Sequence, residues 1–99
     1  MTIEFSQAKN NELTFSVDGK YYHSKYNPSA EAEKWISQIE CNYIPKVIII
    51  LGAGIPYYLN SLKQKFSNSK ILLIQYNEEI FDKVNFEYKN QFTKNIFQI

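Results

Sequence analysis

Val47-Ile48-Ile49-Ile50-Leu51 runs directly into Gly52-Ala53-Gly54, and this junction restricts the chain to few architectures. Four of the five apolar residues are β-branched, and none is polar. That composition predicts a strand buried on both faces, as in a parallel sheet. Two glycines around an alanine then permit a sharp reversal. Ile55, Leu59, Leu62 and Phe66 follow at helical spacing, with Pro56 near the helix start. After the loop Ser67-Asn68-Ser69, the segment Ile71-Leu72-Leu73-Ile74 reads as a second buried strand. Strand, helix and parallel strand between residues 46 and 75 make a right-handed βαβ unit.

The chain before this unit has a different period. Ile3-Glu4-Phe5-Ser6 and Leu13-Thr14-Phe15-Ser16-Val17 alternate apolar and polar residues, as half-buried strands do. Asn10-Asn11 and Asp18-Gly19 supply turn residues on either side of the second run. With Lys20-Tyr21-Tyr22-His23-Ser24 as a third strand, residues 1–26 form an antiparallel meander. Asn27 and Pro28 then suit the cap and first position of a helix, and Glu31 and Glu33 suit its first turns. Ala32, Trp35, Ile36 and Ile39 make one apolar stripe, and Pro45 blocks continuation, so this helix is expected over 28–41. A third helix is expected to start at Asn77, with Glu78 and Glu79 in its first turn and Phe81, Val84 and Tyr88 facing inward. Asn95 to Ile99 reads as a further strand, whose open edge invites a second copy of the chain and a homodimer.

The expected class is therefore α/β: an N-terminal antiparallel β-meander joined to a Rossmann-like βαβ half across 27–99, in one mixed sheet and one domain. Ninety-nine residues leave no room for two cores, and 44% hydrophobic against 21% charged residues describes a globular chain. A net charge of +1 removes the electrostatic argument for nucleic acid or an anionic membrane. All eleven basic residues are lysines, so no guanidinium fork exists for bidentate phosphate recognition. No apolar run approaches a membrane span. One cysteine forbids an internal disulfide and points to the cytoplasm.

Chemistry-bearing residues are few. Gly52, Ala53 and Gly54, with Gln75 and Asn77 at the end of the second strand, are the candidate ligand-binding positions, in the manner of a dinucleotide fold. The third glycine of that fingerprint would fall at Tyr57, and the ribose-binding acid at Gln75 or Tyr76. The alternative is that the glycines only let the strand turn and the helix pack closely. Glu78 and Glu79 diverge on a helix and serve its dipole rather than acid–base chemistry. His23 has no cysteine or second histidine at ligand spacing, so no metal site is expected, and its alternating strand places it at the surface or a sheet edge. Cys41 reads as buried filler at a helix end. Tyr57 and Tyr58 could stack on a ligand, or divide between core and rim. No catalytic set and no cofactor site emerges.

The segment His23-Ser24-Lys25-Tyr26-Asn27-Pro28 with Glu31-Ala32-Glu33-Lys34-Trp35-Ile36 resembles the "LHSxYxPxxEAExxI" stretch of motility-associated factor proteins. These are bacterial glycosyltransferases, some of which modify flagellin. Ile48 to Tyr57 is similar to the family's "GFGLGYH" turn, with Pro56 where its last glycine stands, and Ile74 to Phe81 is similar to "IEPDxEIF", with Gln75-Tyr76 in place of the acid–proline pair. The resemblance, over about residues 12 to 85, is to the N-terminal domain that precedes a pterin-pyrophosphokinase-like central domain. It implies a non-catalytic accessory or protein-interaction domain, with flagellin or the parent enzyme's other domains as partners. The alternatives are a small-ligand domain holding a nucleotide or nucleotide-sugar at Gly52–Gly54, or a standalone methyltransferase-like enzyme.

Overall fold

The computed structural model describes residues 1–75 and 77–84, and the backbone of residues 96–98. Tyr76, Tyr88, Asn95 and Ile99, which figured in the expectations above, lie outside the described residues. The strands β1 (Ile3–Gln7), β2 (Leu13–Val17) and β3 (Lys20–Tyr21) form an antiparallel sheet in that order. Phe5 pairs with Phe15 and Ile3 with Val17. The turns form as their residues predict, with positive φ at Asn11 (72°), Asp18 (50°) and Gly19 (82°). β3 is only two residues long. The chain then leaves the sheet and sends His23 inward rather than along a strand, so the expected surface or edge position for His23 is corrected.

Helix α1 (Pro28–Ser37) begins where Asn27 and Pro28 place it, and Asn27 Oδ1 accepts the Ala30 N–H at 3.1 Å. It ends four residues before Cys41, earlier than the apolar stripe suggested. Its end is capped from another element: Lys65 Nζ donates to the carbonyl of Ile36 in the last turn at 2.8 Å and to that of Ile39, just beyond the helix, at 2.5 Å. A cation there also complements the helix dipole. Cys41 consequently lies in the following loop and is exposed, not buried.

A second sheet contains β4 (Val47–Leu51), β5 (Lys70–Gln75) and β6 (Ile96–Gln98), parallel and in that order. The α/β class thus holds, with parallel and antiparallel pairing kept in two sheets rather than in one mixed sheet. The meander joins the parallel sheet by side chains rather than by strand pairing: Tyr57 donates its hydroxyl to the Leu13 carbonyl at 2.7 Å, and Tyr22 donates to the carbonyl of Gly52. Helix α2 (Leu59–Lys65) follows the glycine turn only after a short irregular stretch, because Ile55 to Tyr58 are used in turns. A third helical stretch, α3, covers residues 78–84. Asn77 caps it, accepting the Ile80 N–H at 3.0 Å, and Val84 is fully buried.

The core gathers Phe15 from the meander, Ala32 and Ile36 from α1, Leu59 and Leu62 from α2, Ile71 and Leu73 from β5, and Ile80 and Val84 from α3. β4 departs from the expected double burial. Ile48 and Ile50 are half-buried toward the core, whereas Val47, Ile49 and Leu51 are 48%, 54% and 62% exposed. β4 is an outer strand of the described sheet, and a single right-handed crossover lays its helix on one face only.

Candidate site at the carboxyl ends of the parallel strands

In open α/β sheets ligands bind beyond the carboxyl ends of the strands. Here that region is built by the glycine turn, the end of β5 and the segment Tyr22-His23. Gly52 and Gly54 adopt φ of 64° and 60°, a left-handed conformation that glycine takes up without the steric cost of a Cβ. Gly54 also has no space above it: a Cβ there would lie 2.6 Å from His23 Nε2 and 2.7 Å from Tyr22 Cε1.

The backbone donors of the turn point at acceptors of the protein itself. Ala53 N–H bonds the Ile74 carbonyl at 3.0 Å, extending the parallel ladder. Gly54 N–H bonds Gln75 Oε1 at 3.0 Å, and Gln75 Nε2 returns a bond to the Gly54 carbonyl at 2.6 Å. Ile55 N–H bonds His23 Nε2 at 2.9 Å. A ring nitrogen that accepts must be unprotonated, so His23 is neutral with its proton on Nδ1. Burial among Phe15, Tyr22 and Tyr57 agrees, pushing the His23 pKa down to about 4. On the far side, the Tyr58 hydroxyl donates to the Ala53 carbonyl at 2.9 Å, and burial, helped by the nearby Tyr22, pushes that phenol well up.

Of the five positions singled out from sequence, four meet around one cavity of about 230 Å³: Gly52, Gly54, Gln75 and Asn77, closed by Val17, Tyr22 and Ile80. Ala53 faces a different cavity, of about 310 Å³, with Tyr22, Glu31, Trp35, Leu51 and Tyr58. Neither Gln75 nor Asn77 presents an idle side chain, since one clamps Gly54 and the other caps α3. Ligand pockets usually occupy about 300–1,000 Å³, so the first cavity is small for a nucleotide. Sequence reasoning missed His23, Tyr22 and Trp35. The signal for His23 was its place beside Tyr22 after a tight turn, but a period-two reading directed it outward.

Ser24, Asn27 and Pro28 are likewise occupied in shaping the chain. Ser24 Oγ accepts the N–H groups of Tyr26 at 3.0 Å and Asn27 at 3.1 Å, turning the backbone into α1. Among the described residues, no three histidine, cysteine or acidic side chains are gathered to hold a metal ion, and no helix is long and apolar enough to cross a membrane. No family model, curated protein or solved structure matches the chain.

Proposed function

We propose that the chain is a non-catalytic accessory and protein-interaction domain of a motility-associated flagellin glycosyltransferase, working in the cytoplasm. The reading rests on the resemblance of residues 12 to 85, and one observation carries its non-catalytic part. The glycine turn spends its donors on Ile74, Gln75 and His23, so the groups that would cradle a phosphate hold the fold together instead. The surface also suits docking, because Tyr43 (71%), Ile44 (74%) and Val47, Ile49 and Leu51 of β4 are exposed apolar side chains. The test is capture of purified flagellin by the immobilised chain, with Ile49→Lys as the control on the exposed face. Retention of flagellin, weakened by that variant, supports the reading; no retention at tens of micromolar overturns the flagellin partner.

A second reading is a small-ligand domain at Gly52–Gly54, favoured by the cavity that Gly52, Gly54, Gln75 and Asn77 share. Thermal shift with nucleotides, nucleotide-sugars and S-adenosylmethionine decides it. Ligand at 100 times Kd adds about 2.7 kcal/mol, which is roughly 10–20 °C for a chain of this size. No shift with any of the three eliminates this reading.

A further inference from the structure

The cavity of about 310 Å³ on the Ala53 side of the turn is absorbed by neither reading, and its chemistry is one-sided. Its walls are aromatic. Trp35 meets Tyr58 edge to face at 5.4 Å between ring centroids, and Tyr22 stacks on Phe15 at 4.9 Å beneath the turn. Trp35 and Tyr22 are 44% and 47% exposed, so part of each ring remains open to solvent.

The lining offers little to an anion. Tyr22 and Tyr58 each give their hydroxyl proton to a backbone carbonyl, Gly52 and Ala53 respectively, so neither can donate to a ligand. His23 is neutral and accepts from Ile55, and among the described residues no lysine lies in the wall. The remaining side-chain donors among the described lining residues are the uncharged N–H groups of Trp35 and of His23 at Nδ1. Among the described lining residues the one acidic or basic side chain besides neutral His23 is Glu31, on α1 one turn before Trp35, with Oε1 accepting the Ser24 N–H at 3.1 Å. Aromatic faces attract cations through their quadrupole, and a carboxylate at the rim adds Coulombic attraction.

We propose that this cavity binds an alkylammonium group, as carried by a lysine side chain of a partner protein or by a free small amine. The inference does not depend on the glycosyltransferase reading. It requires only the juxtaposition of Tyr22, Trp35 and Tyr58 with Glu31. A primary ammonium would sit against the exposed ring surfaces with its protons toward Glu31, and a quaternary one would rely more on the rings.

Trp35 is the only tryptophan of the chain, so its emission reports on the cavity directly. The experiment titrates the protein with N-acetyl-lysine methylamide and with tetramethylammonium chloride at constant ionic strength. The controls are the same lysine amide acetylated at Nζ, N-acetylglutamate and ADP. Saturable change with the two cations, in the millimolar range expected of a single group on half-open rings, and none with the controls supports the site. Glu31→Gln keeps an oxygen for Ser24 but loses the charge. It should weaken the lysine amide about tenfold, equal to about 1.4 kcal/mol, in a protein that stays folded with a melting temperature only a few degrees lower from the lost charge at the helix start. A lysine-containing pentapeptide binding at least tenfold tighter than the amide assigns the site to a protein partner, whereas putrescine matching or exceeding the peptide assigns it to a free amine. No saturable response to either cation, an equal response to acetylated lysine, or undiminished binding by a folded Glu31→Gln protein overturns the proposal.

Discussion

Replacing Gly54 by alanine tests the linkage between the meander and the parallel sheet at its tightest point. The backbone sits at φ 60°, and an L-residue there costs about 1–2 kcal/mol. The new Cβ would stand 2.6 Å from His23 Nε2 and 2.7 Å from Tyr22 Cε1, so both rings must shift. Moving the imidazole breaks its bond from the Ile55 N–H, and an orphaned buried donor costs about 1–3 kcal/mol. Overpacking adds about 1–3 kcal/mol. These terms overlap, since one ring movement relieves the clash and breaks the bond, so the expected loss is about 3–5 kcal/mol. At about 4–8 °C per kcal/mol that lowers the melting temperature by roughly 12–40 °C. Gly19→Ala is the matched control. Gly19 has a similar positive φ of 82° but nothing within 4 Å of a new Cβ, so only the backbone part, about 1–2 kcal/mol, applies. Any gain from restricting the unfolded chain is shared by the two variants and cancels in their difference. Urea denaturation followed by circular dichroism measures both. Equal losses, within about 0.5 kcal/mol, would refute the contact between Gly54 and the His23–Tyr22 pair.

Acid should weaken the fold through His23. Its folded pKa is pushed down to about 4, so between pH 6.5 and 4 the unfolded chain binds a proton that the folded chain refuses, and stability present above pH 6.5 is lost on descent. The loss from pH 7 to pH 5 is about 2 kcal/mol, and a urea-melt series should show that step absent in His23→Asn. Gln75→Leu strips both partners from Gly54 in a buried setting and should cost about 2–4 kcal/mol by the same assay; a loss below about 1 kcal/mol contradicts the clamp. Asn27→Ala removes the cap of α1 and should cost about 1 kcal/mol, visible as a lowered urea midpoint at unchanged slope. Ile49→Lys, on the open face of β4, should change stability by less than about 1 kcal/mol, whereas Leu73→Ala in the core should cost about 2–5 kcal/mol. Similar losses for the pair would mean that β4 is covered on both faces.

What could be read from the residues was what local physics decides. Asn10-Asn11 and Asp18-Gly19 specify turns because few residues accept positive φ, and Asn27-Pro28 specifies a helix start because cap and first position have distinct chemistry. The parallel pairing of β4 with β5 was legible from composition and a crossover of suitable length. The C-terminal limit of α1 was not, because it depends on Lys65, whose ammonium arrives from α2, 29 positions beyond Ile36. One-sided exposure of β4 was also out of reach, since a continuous apolar run has no period to show which face is covered. His23 was misplaced because two residues of genuine strand were extended by alternation into five.

The same limit explains the candidate site. A strand ending in Gly-Ala-Gly specifies a turn whose amides can face a ligand, but not whether they do. That is settled by acceptors 21 and 32 positions away in the chain, Gln75 Oε1 for Gly54 and His23 Nε2 for Ile55. A phosphate entering the turn would have to displace both, and each displaced or unpaired buried group costs about 1–3 kcal/mol. Gln75 raises this further, because it also donates to the Gly54 carbonyl, a bond that a glutamate at this position could make only when protonated. The residue type at the end of β5 therefore separates two uses of one backbone shape. An ionised acid there could still accept the Gly54 N–H but would leave the Gly54 carbonyl without its donor, whereas the amide pairs both groups within the protein.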